Sequence, residues 1–172
     1  MKNARAKTPL IVGVVAVIAL TVALAAEFTP RFVWNVTPSA PIGLYFVKSK
    51  SPAIGDFVLV KPSIHVKQLI EKRRYLPPDT PLIKRVAEVD GAQICRAGTE
   101  IFVNGVKLAE ALTVDSFGRA MPQWGGCFTL QSDELFLLND HKKSLDGRYF
   151  GATKATQIIG VAQPFLVWEW SE

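Results

Sequence analysis

The sequence predicts a mainly β domain, built of short antiparallel strands with one small helix and preceded by a single transmembrane helix. Three observations carry that expectation. Most of the chain beyond residue 40 falls into short apolar or alternating runs punctuated by Gly, Pro, Asn and Asp, the pattern of strands and tight turns. Asn104-Gly105 stands between alternating apolar residues, the strongest short hairpin signal in the chain. Leu10 to Ala26 contains no charged residue, and at 1.5 Å rise such a run reaches roughly 26 Å, near the lower limit for a hydrocarbon core.

The expected organisation is a basic tail (1–9), an anchor (10–28) and a domain (29–172) in a chain of 172 residues. Lys2, Arg5 and Lys7 precede the apolar run and place the N-terminus in the cytoplasm with everything from Glu27 outward exported. Phe28, Phe32 and Trp34 then lie at headgroup level. A cleaved secretory signal is the competing reading, because Ala23-Leu24-Ala25 has the small-x-small form of a cleavage site; both readings export the domain. The net charge of +5 reduces to +2 once the three tail cations are set aside, which is no nucleic-acid footprint. Export makes Cys95 and Cys127 an even pair in an oxidising compartment. A disulfide between them is expected, worth roughly 3–4 kcal/mol in the chain-entropy model. His65 and His141 lie far apart without carboxylates at ligand spacing, so neither a metal nor a cofactor is expected.

In chain order, Asn35–Phe46 (NVTPSAPIGLYF) sets Ser39 between Pro38 and Pro41, which stiffen the loop and present the hydroxyl away from any helix. A turn serine is the plainer alternative for that window alone. Residues 42–49 and 55–63 read as strands that pair with each other. Residues 64–76 bring Val66, Leu69 and Ile70 to one side, a short amphipathic helix stopped by Pro77-Pro78. Strand 81–91 places Lys84 with Leu82 and Val86 on one face and Arg85 with Ile83 and Ala87 on the other, so a base must share a face with bulky apolar neighbours. If Lys84 is the inward one, burial lowers its pKa and makes a neutral amine available as general base; a lysine whose head reaches solvent is the alternative. Residues 109–126 form a loop-rich excursion, 128–131 and 134–139 read as a strand pair, 141–151 as a polar turn, and 158–170 as one or two strands with Pro164 at an edge or bend.

A serine nucleophile needs a proton acceptor. Asp140-His141 invites a Ser/His/Asp reading, but the apolar setting of Lys84 suits a Ser/Lys dyad better. TPSAPIGLY, LIKRVAEVDG and SLDGRYFG, in that order behind an apolar N-terminal segment, resemble the serine/lysine signal peptidases, and the short nucleophile box with DSFGRAMPQWGGC resembles their TraF-type conjugative-transfer branch. The resemblance spans most of residues 30–165. It implies Ser39 as nucleophile, Lys84 as general base, Thr37 as side-chain oxyanion donor, Ser144 as a hydrogen-bond partner of the lysine, and Asp146 with Arg148 as a supporting ion pair. It also implies a signal-peptidase-like antiparallel β-barrel that takes an extended exported peptide with small residues at the cut. For the TraF branch the implied substrate is a conjugative pilin precursor, cleaved or joined into a ring, at the bacterial inner membrane with the catalytic domain in the periplasm. Ala40 after the serine and Gly147 in the distal box depart from ordinary signal peptidases. A general type I signal peptidase and a non-catalytic bitopic subunit of a transfer or secretion apparatus are the remaining alternatives.

Overall fold

The computed structural model describes residues 11–18, 20, 21, 31–77 and 79–168, and the chain divides into two units, 1–30 and 31–172. In the first unit the described residues 11–18, 20 and 21 are helical and exposed. The basic tail and much of the expected anchor fall outside the described residues; among those described, no helix is long and apolar enough to cross a membrane.

The second unit is mainly β and antiparallel. Among the described residues, eleven strands form two sheets. The larger combines β1 (Phe32–Asn35), β2 (Ile42–Lys48), β3 (Phe57–Val60), β4 (Leu82–Glu88), β9 (Glu134–Leu137), β10 (Thr153–Lys154) and β11 (Ile158–Trp168), in the order β1-β2-β11-β3-β4-β9-β10. The smaller is β7 (Val106–Glu110), β6 (Glu100–Val103), β5 (Gln93–Ala97) and β8 (Gly126–Thr129), in that order. Valines, leucines and isoleucines from β3, β4, β9 and the helix Ile64–Arg73 make one core cluster, and Ile94, Ile101, Leu130 and Phe136 make another beneath the smaller sheet.

Two expected pairings are replaced. The strands around residues 42–49 and 55–63 are not neighbours, because β11 lies between them and pairs with both. Likewise β8 pairs with β5, whereas β9 pairs with β4 and β10. In each case short-range punctuation suggests a hairpin, but a long strand or a second sheet offers an apolar face that the local partner lacks. Asn104-Gly105 does close the β6–β7 hairpin, with both residues at positive φ. The helix starts at an N-cap Ser63 whose hydroxyl accepts from the Val66 N–H, and it ends at Arg74 in the left-handed conformation, ahead of the prolines. Pro164 falls where β11 shifts register, as its missing N–H requires. The Cys95–Cys127 disulfide joins directly opposed residues of β5 and β8 and so holds both ends of the 96–126 excursion.

One glycine fixes how closely β2 meets β11. Gly43 has φ +135°, and a Cβ there would lie 2.2 Å from the Leu166 carbonyl oxygen. Gly43→Ala is expected to destabilise the domain by about 2 kcal/mol or more, read as a lower denaturant midpoint with an unchanged slope.

Candidate functional site

Ser39 sits half-buried on a loop that is held from below by side chains far more buried than itself. Asn35, the last residue of β1, places its Nδ2 2.9–3.0 Å from the carbonyl oxygens of Thr37, Ala40 and Pro41. Its Oδ1 accepts from the Thr37 N–H and the Thr37 hydroxyl. The Tyr45 hydroxyl donates to the Pro41 carbonyl at 2.7 Å, and burial pushes this phenol up to about 12, partly offset by Arg85. The Ala40 methyl packs into the core beneath. The two prolines and these bonds leave the loop one shape, with the Ser39 and Thr37 hydroxyl oxygens 3.3 Å apart.

Lys84 enters from β4 and is 3% exposed. Alternation along the strand turns it inward with Leu82 and Val86, while Arg85 on the opposite face is only half-buried, lies over the Phe57 ring and pairs with the exposed Asp140. The Nζ of Lys84 donates to the Ser144 hydroxyl at 2.8 Å. Burial lowers its pKa from the ordinary 10.5 to about 8; Asp146 opposes that shift and Arg148 adds to it.

Around the lysine stands a buried polar frame. The Asp146 carboxylate accepts from the Asn139 and Arg148 N–H groups and from the Arg148 guanidinium at 2.8 Å, with both side chains almost wholly inaccessible. Burial pushes the Asp146 carboxyl up, against the pull of Arg148, Lys84 and the two backbone donors. Arg148 also donates to the Asn139 carbonyl. Asn139 in turn brackets the lysine: its Oδ1 accepts from the Arg85 N–H and its Nδ2 donates to the Ile83 carbonyl, the residues on either side of Lys84. Gly147 lets this segment lie against β9, since a Cβ would meet the Phe136 ring at 2.7 Å and the Leu137 carbonyl at 2.8 Å. Asp146 caps the short helix Gly147–Phe150 that follows.

Ser39, Thr37 and Lys84 line one largely apolar cavity of about 440 Å³, in the size range of a ligand site. Thus Lys84, Ser144, Asp146 and Arg148 form one cluster, and of these Lys84 lines the same cavity as Ser39 and Thr37. The Thr37 hydroxyl is already engaged with Asn35. Cys95 and Cys127 lie on the smaller sheet and contribute no lining. His141 also borders the cavity; its Nδ1 accepts from the Lys143 N–H, and Asp140 pairs with Arg85. Among the described residues no group of His, Cys, Asp and Glu is placed to hold a metal ion.

Asn35 and Asn139 are the residues that sequence reasoning missed. Each is an asparagine at the end of an apolar stretch, a position that also suits an ordinary turn, so only burial at 8% and 1% distinguishes them.

The family described as signal peptidase, peptidase S26, matches residues 5–168. A plasmid transfer protein TraF from Escherichia coli is 32% identical over 145 residues, covering 78% of this chain and 82% of that protein. A probable conjugal transfer protein TraF from Sinorhizobium fredii (strain NBRC 101917 / NGR234) is 33% identical over 177 residues, covering 93% and 90%. A conjugal transfer protein TraF from Agrobacterium tumefaciens (strain 15955) is 32% identical over 176 residues, covering 95% and 97%. The crystal structure of a signal peptidase I from Enterococcus faecalis V583 superposes with a TM-score of 0.39 at 20% identity, over 66% of this chain and 98% of that one. With the matched region running through the Ser39 loop, the Lys84 strand and the Asp146 segment, the chain belongs to the signal peptidase family, peptidase S26.

Proposed function

We propose that the protein is a membrane-anchored serine endopeptidase with a Ser39/Lys84 dyad that processes the precursor of a conjugative pilin. The observation that carries the chemistry is a fully buried lysine, its pKa lowered to about 8, lining the same cavity as a serine on a rigid loop. Kinship with proteins named for plasmid and conjugal transfer supports the substrate over a general export role. The anchor at 10–28 holds the N-terminus in the cytoplasm and the catalytic domain in the periplasm, in keeping with the disulfide.

In this reading the neutral Lys84 Nζ takes the Ser39 hydroxyl proton, and Oγ attacks the carbonyl carbon of the scissile peptide bond. The tetrahedral oxyanion meets the Ser39 N–H, which among the described residues has no other acceptor. The Thr37 hydroxyl joins it by rotating away from Asn35. The Lys84 ammonium returns the proton to the leaving amine nitrogen, leaving an ester on Ser39. Water then releases a linear product, or the substrate's own N-terminal amine attacks the ester and closes a ring. Ser144 holds the amine in line, and the Asp146–Arg148 pair with Asn139 keeps that part of the frame from shifting.

A pilin precursor incubated with detergent-solubilised protein should lose a C-terminal peptide by mass spectrometry, with a further loss of one water if the ring closes; Ser39→Ala should leave it intact. A variant that still processes it would remove Ser39 from the mechanism. Because the base is the neutral amine, kcat/KM should rise about tenfold per unit of pH below the pKa and level off above about 8. Lys84→Arg, charged throughout this range, should be inactive at every pH. The lysine's folded-state pKa lies below its unfolded value, so its charging penalty is full below about pH 8 and gone above 10.5. Lys84→Met is therefore expected to be inactive yet more stable at pH 7 by about 2 kcal/mol, and the margin should shrink as pH rises through that window.

A further inference from the structure

Arg96 is a cation on the core face of its strand. Alternation along β5 sets it on the same side as Ile94, above the core beneath the smaller sheet, and it is 4% exposed. Among the described residues no carboxylate pairs with it; its Nε donates to the Gly98 carbonyl at 2.8 Å and its Nη1 to the Arg148 carbonyl at 2.7 Å. A buried charge without a counter-ion is costly, so the carbonyls that it binds carry its purpose.

The Arg148 carbonyl belongs to the short helix Gly147–Phe150, which Asp146 caps and which carries the guanidinium of the buried ion pair acting on Lys84. A single turn has too few internal bonds to keep its own shape, and its carbonyls need outside donors. Three consecutive residues of it are gripped from the smaller sheet and the excursion. The Trp124 indole N–H donates to the Gly147 carbonyl at 3.1 Å, Arg96 donates to the Arg148 carbonyl, and the Leu112 N–H donates to the Tyr149 hydroxyl at 3.0 Å. The Arg96 guanidinium lies over the Trp124 ring, which packs against Phe128. Arg96 stands opposite Gly126, and the disulfide ties the neighbouring pair Cys95 and Cys127, so β5 and β8 hold together under this grip. Neither Arg96 nor Trp124 lines the cavity that Ser39 and Lys84 share.

We propose that Arg96, with Trp124 beside it, is a positioning residue for the reaction, holding the Gly147–Phe150 turn so that the Asp146–Arg148 pair stays in place beside the Lys84 amine. For its effect on catalysis the inference rests on the peptidase reading. It gives the segment Pro122–Cys127 a part in the chemistry that no contact with the cavity supplies. When the turn shifts, Asp146 and Arg148 move together, and their opposed effects on Lys84 largely cancel. What changes is access of water. Hydration of the amine relieves the burial that lowers its pKa and moves it back toward 10.5.

The test uses the full chain in detergent as wild type, Arg96→Met, Arg96→Lys and Trp124→Phe, each with its denaturant midpoint measured. Two quantities are followed against pH: kcat/KM on a fluorogenic peptide with Ala at the cut and two residues before it, and the 13Cε chemical shift of Lys84, assigned by its absence in Lys84→Met. Asp146 and Arg148 are the charged groups that act on this amine, and Asp115, His141, Lys143 and two tyrosines border its cavity; every variant retains them. Arg96→Met should raise both midpoints by about one unit, which lowers kcat/KM about tenfold at pH 7 and leaves it nearly unchanged at pH 10. Trp124→Phe, which alters no charge, and Arg96→Lys, which keeps the charge and loses the fork, should each move both midpoints the same way by less. A loss by one factor at every pH, the mark of general destabilisation, overturns the proposal. So does a shift confined to Arg96→Met, the mark of the lost charge acting directly. Because the lysine signal needs no substrate, the two readings separate. Shifted lysine midpoints without cleavage by the wild type remove the peptidase and keep the positioning role, whereas cleavage with unmoved midpoints keeps the peptidase and removes that role.

Discussion

Desolvation of one amine is the constraint on which this architecture turns. Lys84 is held among apolar strands where its charged form is disfavoured, and such a group persists only if the surrounding backbone cannot rearrange to let it out. The frame that prevents this is unusually complete. Asn139 is bonded to the strand on both sides of the lysine, Asp146 fixes the Asn139 N–H, Arg148 binds both Asp146 and the Asn139 carbonyl, and Ser144 receives the amine itself. Removing one member of a buried pair such as Asp146–Arg148 would leave an uncompensated charge, so this cluster acts as a unit.

The serine side follows a different logic. Prolines restrict the dihedrals of the Ser39 loop, and neutral hydrogen bonds from Asn35 and Tyr45 satisfy its carbonyls. A neutral loop adds no further charge to those of Asp146 and Arg148, which already act on the Lys84 pKa. The two halves meet only because β11 pairs with both β2 and β3, which brings the strand after the serine loop into one sheet with the strand that carries the lysine. Gly43 and Gly160 permit that approach, each lying where a Cβ would press on the facing backbone.

Much of the site was legible because its chemistry depends on local pattern. Pro-x-x-Pro around a serine, a lysine on the apolar face of an alternating strand, and Ser-x-Asp-x-Arg after a turn are each visible in a window of a few residues. The asparagines were not, since the same residue at a strand end is ordinarily a turn former. The grip of Arg96 was hidden for a related reason: its acceptor on Arg148 lies 52 positions away, and nothing local joins β5 to the short helix.

By itself the sequence determined the β class, the Asn104-Gly105 hairpin, the helix after Ser63 and an irregularity at Pro164, and left open which face of β4 turns inward, because turn chemistry and side-chain alternation act over two to ten residues. Tertiary structure alone decided that β11 separates β2 from β3, that β8 and β9 belong to different sheets, and that Asn139 clamps the lysine strand. Those outcomes turn on which apolar faces bury one another across 30 to 126 residues, a competition between partners that no local window contains.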